Sequence, residues 1–117
     1  MIRNPSLLLV VMIVGCGGAG KSGVQSDKRL VDLNATEISD FCSYVVDVEM
    51  APRTVDCGGG LTITLKNQAD CISSFGQFMA SCAATVSQGE TCAEAVGANP
   101  CATENPACVP LLQCAGG

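Results

Sequence analysis

Nine thiols carry most of the chemistry this sequence offers: Cys16, Cys42, Cys57, Cys71, Cys82, Cys92, Cys101, Cys108 and Cys114. Thiols pair as disulfides, ligate a metal or cluster, or run redox exchange, and spacing separates these roles. Zinc and iron–sulfur sites use close C-x-x-C pairs or histidine partners. From Cys42 onward the steps between successive cysteines are 15, 14, 11, 10, 9, 7 and 6 residues, and the chain has no histidine. A thioredoxin-type C-x-x-C is absent as well. The spacing therefore points to structural disulfides, with no metal and no cofactor expected. Lack of histidine removes the Ser–His and Cys–His nucleophile arrangements. Asp40 and Asp47, and Glu90 and Glu94, stand at helical spacings that allow paired carboxylates, but solvated helix faces explain them more simply. No catalytic constellation is expected.

A second chemistry-bearing stretch lies near the start. Gly15 to Ser22 satisfies G-x-x-x-x-G-K-[ST] after an apolar run, the pattern of a phosphate-binding loop. Such a loop needs a buried strand before it, a helix after it, and an aspartate on a second strand to hold magnesium. Tyr44-Val45-Val46-Asp47 is a faint candidate for that strand, but it lies in a segment of helical periodicity. The same stretch resembles something else. Met1 to Pro5 carries Arg3, Ser6 to Val14 is apolar, and Ile13-Val14-Gly15-Cys16 resembles the lipobox of a bacterial lipoprotein signal peptide. That apolar run is far short of the ~20 residues that span a bilayer as a helix. The resemblance implies cleavage before Cys16. It also implies a diacylglyceryl thioether on Cys16, with an N-acyl chain such as palmitate. Two or more acyl chains hold a protein durably at a membrane. Setting Cys16 aside leaves eight cysteines, an even number suited to full pairing. The export reading is the stronger. A P-loop nucleotide-binding protein using Gly15–Ser22 is the alternative, and an unlipidated secreted protein is a third reading.

At 117 residues the chain is one domain at most. Three phenylalanines, one tyrosine and no tryptophan make a thin core that cross-links must support. The net charge is −5, or −6 once Arg3 leaves with a leader, and no basic residue follows Lys66. Nucleic acid needs a basic footprint, so it is excluded as a partner. Residues 1–15 are expected to be the signal peptide, 16–32 a lipidated cysteine with a flexible tether, and 33–117 the disulfide-rich domain. The tether is Gly/Ser-rich, then charged, and as a random coil would reach roughly 20–24 Å from the membrane.

Within the domain the elements announce themselves by their caps. Asn34 with Glu37 is a capping box, Leu33 and Ile38 are its staple, and a helix is expected over 35–49. Asn34-Ala35-Thr36 also fits a glycosylation sequon, for which the cap is the better reading. Residues 53–57 and 61–66 read as a hairpin turning through Gly58-Gly59-Gly60, with Leu61, Ile63 and Leu65 on its buried face. A glycine-rich anion nest is the less favoured reading of that turn. Asn67 starts a helix expected over 68–81, Thr85 and Gln88 one over 86–97, and Asn105-Pro106 a last turn ending near Gln113. The fold class is α+β and mostly helical: three to four short helices and one β-hairpin, cross-linked by about four disulfides. Eight cysteines allow 105 pairings. If the 68–81 helix packs back along the hairpin, Cys82 comes near Cys57.

The lipobox, the helix start, the Cys-Gly-Gly-Gly hairpin and the later cysteines together resemble the small cysteine-rich lipoproteins of myxobacteria and related predatory deltaproteobacteria. The resemblance brings no assigned activity. It implies an envelope location, and Gly17 after the lipidated cysteine implies the outer membrane. The expected role is a membrane-anchored extracytoplasmic module, binding an unknown ligand or serving as a passive envelope component.

Overall fold

The structure, a computed structural model, describes residues 19–102 and 105–114. The expected signal peptide and Cys16 lie outside the described residues.

Helix α1 (Ala35–Glu49) begins at a complete capping box. The Asn34 side chain accepts the Glu37 N–H at 2.8 Å, and the Glu37 carboxylate accepts the Asn34 N–H at 2.9 Å. Leu33 is buried beside it and Ile38 packs on the same cluster, so the staple forms too. The helix stops at Met50, which adopts the left-handed region (φ 55°, ψ 37°) usually left to glycine or asparagine.

Strands β1 (Arg53–Gly58) and β2 (Leu61–Leu65) form an antiparallel hairpin with Val55 opposite Ile63. A bulge between Asp56 and Gly58 shifts the register. Gly58, Gly59 and Gly60 all have positive φ, the conformation the sequence assigned to that turn.

Helix α2 (Gln68–Ser74) is shorter than the expected 68–81. The Ser73 and Ser74 hydroxyls both donate back to the Asp70 carbonyl, at 3.1 and 2.8 Å. A 3-10 turn (Phe75–Gln77) containing Gly76 then ends the helical run, and Phe78 is extended. This break directs Phe75 inward, edge-on to Phe41 at 5.8 Å between centroids and to Phe78 at 5.3 Å.

Helix α3 (Val86–Ala98) starts at the Thr85/Gln88 capping box. It crosses α1 closely because its contact face is small. A Cβ on Gly97 would fall 2.4 Å from the Val48 carbonyl oxygen, and one on Gly89 would fall 2.6 Å from the Phe41 ring. The chain ends in a 3-10 turn (Pro106–Cys108) and a single-turn helix α4 (Val109–Leu112), with Asn105 accepting the Ala107 N–H.

All eight cysteines of the described residues are paired: Cys42–Cys71, Cys57–Cys101, Cys82–Cys114 and Cys92–Cys108. The Cys57–Cys82 expectation fails because α2 ends at Ser74. Cys82 therefore lies beyond the helix, after a turn in which its N–H bonds the Met79 carbonyl, and meets Cys114, while the hairpin end reaches the loop after α3. Disulfides of this density are compatible with an oxidising, extracytoplasmic setting.

The expected tether also needs correction. From Ala19 the chain is folded against α3 rather than free. Leu30 N–H donates to Ala84, Val86 N–H to Lys28 and Ser87 N–H to Ser26, each at 2.9 Å. Val24 and Leu30 are buried in the main cluster with Leu33, Phe41 and Val86. Burial of these two apolar side chains, plus main-chain pairing to residues 84–87, offsets the ordering entropy that a glycine-rich segment would otherwise keep.

Candidate functional site

The motif residues Gly20, Lys21 and Ser22 form a tight turn on α3. Gly20 N–H donates to the Val24 carbonyl at 2.8 Å, and Gly23 turns the chain at φ 87°. The Ser22 N–H donates to the Glu90 carboxylate at 2.8 Å. Glu90 is buried, the one charged side chain in that class among the described residues. Gly20 presses on it so closely that a Cβ there would lie 2.6 Å from the carboxylate oxygen. Four residues on, Glu94 accepts the Lys21 ammonium at 2.8 Å and, on the same oxygen, the Tyr44 hydroxyl from α1. We call this assembly the latch.

Its electrostatics follow from those contacts. Glu94 is held below the usual carboxylate range by the hydrogen bond from Lys21 and then by that from Tyr44. Lys21 is raised in turn by its bond to Glu94. Burial, reinforced by the Glu94 carboxylate, pushes the Tyr44 phenol up to about 12.

This geometry departs from a phosphate loop. After Ser22 comes a turn, and the next helical element is a 3-10 turn at Leu30–Asp32. The amide and ammonium that would grip phosphate are given to the protein's own Glu90 and Glu94. The proposed strand Tyr44–Asp47 is part of α1. Of the four carboxylates singled out from spacing, Glu90 and Glu94 meet the latch while Asp40 and Asp47 are exposed on α1. Among the described residues there is no group of three or more His, Cys, Asp or Glu placed to hold a metal.

A different face of the α1–α3 pair carries an open apolar groove of about 320 Å3. Phe41, Val45, Leu65, Phe75, Ala93 and Val96 line it. Glu49 also borders it, and burial raises its carboxyl above the ordinary value, with Arg53 pulling it partly back. Sequence reasoning did not find this groove. Its walls come from α1, the hairpin, α2 and α3, and only their packing brings them together.

No family model matches this chain, and no curated protein or solved structure is significantly similar to it. The site therefore has to be read from its own chemistry. Among the described residues no helix is long and apolar enough to cross a membrane. What the structure offers is a cross-linked body, a pinned N-terminal segment and an apolar groove.

Proposed function

We propose that the chain is a lipid-anchored module of the bacterial cell envelope, attached at Cys16 and displaying a small disulfide-stabilised domain outside the cytoplasm. One observation carries this reading: the eight cysteines from Cys42 to Cys114 consume one another in four bridges. Cys16 is thus left without a partner among them, at the position where the lipobox resemblance asks for a lipidated thiol. The role is binding or passive structure rather than catalysis. The apolar groove favours binding, since concave apolar surface is where ligands gather.

The test is fractionation of cells expressing the full chain. The native sequence is expected in the outer-membrane fraction. Cys16→Ser should abolish lipid incorporation and retain the leader. A Cys16→Ser chain that still acquires labelled acyl groups would sink the proposal.

A further inference from the structure

We infer that the folded body lies close against the bilayer, with the latch side inward and the apolar groove facing away from the lipid. The inference rests on the reading of Cys16 as the lipidated residue and adds the geometry of the attachment. Only three residue steps separate Cys16 from Ala19, the first of the described residues and already paired with Gln25 on the folded body. At 3.3–3.6 Å per residue they span at most about 11 Å. A free tether of the length expected from composition would reach about twice as far.

Nor can the attachment point swing away from the body. Gly20 is tied to Val24 and wedged on Glu90, and Ser22 is bonded to the same carboxylate. The bilayer is therefore joined at the strip of α3 that carries Glu90 and Glu94. On α3 the groove is bordered by Gly89, Cys92, Ala93 and Val96, a strip centred about 130° round the helix from the one that carries Glu90 and Glu94. Helix α1 divides in the same way. Tyr44 bonds Glu94 on the latch side, whereas Phe41, Val45 and Glu49 border the groove, a strip centred about 100° round the helix. The Cys42–Cys71 bridge fixes α2 over the groove side. Anchor and groove thus occupy different faces of the helix pair, and the groove is turned away from the strip that carries the anchor. A groove so placed is open to an aqueous partner and withheld from the acyl chains of the anchoring membrane.

The chain has no tryptophan, so one introduced residue reports its own position. Full-length protein carrying Gln25→Trp near the latch, or Thr62→Trp on β2, would be purified from membranes. It would then be reconstituted in phosphatidylethanolamine–phosphatidylglycerol vesicles containing a dansyl-headgroup lipid. Energy transfer to the dansyl group should be clearly stronger from position 25 than from position 62. Inserting a long Gly/Ser segment between Gly18 and Ala19 should erase that difference. Vesicle-bound, lipidated protein with equal transfer from both positions, insensitive to the insertion, would overturn the close-docked orientation alone. Protein that carries no lipid and does not float with vesicles would overturn the anchoring reading beneath it.

Discussion

The two ends of the folded body are held by different forces. The N-terminal part, Val24 through α1 with the start of α3 packed on it, closes by burial: Leu30 and Val86 are almost wholly excluded from solvent, with Val24, Leu33 and Phe41 around them. The C-terminal part has little such burial. Val109 is 45% and Leu112 69% exposed, and Cys114 is the buried residue there. Three of the four bridges end in this stretch, at Cys101, Cys108 and Cys114. Where the sequence supplies apolar side chains, packing fixes the chain. Where they stay exposed, sulfur does the fixing.

The contrast is most open to attack at the bridges. They close loops of 16 to 44 residues, worth about 3–4 kcal/mol each in the chain-entropy model. Four together rival the whole net stability of a small domain, roughly 5–15 kcal/mol. Full reduction should therefore unfold the protein, and native circular dichroism persisting in reductant would refute the account of the C-terminal part. Removing only the Cys92–Cys108 pair by paired serine substitution should raise amide exchange in residues 105–114 well before that around Leu30. Uniform loss of protection would show that the two regions are one cooperative unit.

Next in size is the packed side. Leu30→Ala empties a fully buried site and should cost about 2–5 kcal/mol in denaturant unfolding. Leu112→Ala, on the exposed counterpart, should cost far less. Equal costs would erase the distinction. Glu90→Ala leaves the Ser22 amide without its acceptor and should cost about 1–3 kcal/mol, with faster exchange confined to residues 19–24.

Smaller effects come from single conformers and charges. Met50→Gly should stabilise by about 1 kcal/mol, because a left-handed residue with a side chain is disfavoured. Glu37 and Glu94 both hold their protons less tightly in the folded state, Glu37 chiefly through its bond from Lys28. Their contribution is present above the ordinary carboxylate range and is lost as pH falls through their lowered values. Glu49 runs the other way: its raised value favours the folded state at low pH, and the advantage is lost as pH rises. Melting temperature against pH for Glu49→Gln should thus exceed that of the native chain near neutrality and converge with it in acid.

Much of the scaffold was legible because caps are local. Asn34, Asn67, Thr85 and Asn105 each accept the backbone N–H that their sequence context predicts. The α+β class and the paired cysteines followed from equally local cues. What escaped was long-range. Val24 and Leu30 stand among glycines and charges, and part of what covers them, Cys82, Ala84 and Val86, lies more than fifty positions later. Glu90 read as a solvated helix acid because nothing near it in sequence announces the Ser22 amide. The end of α2 turned on two serine hydroxyls competing for the Asp70 carbonyl, a choice that periodicity does not record. The groove has no sequence signature, since no single element contains it.

The central claim is a division of labour among nine cysteines, one for lipid and eight for bridges. Intact-mass analysis of the membrane-extracted protein addresses it most directly. The account predicts a chain that starts at a lipid-modified Cys16 and gains eight hydrogens on full reduction. A chain that still starts at Met1, carries no acyl mass and involves Cys16 in a disulfide would contradict it.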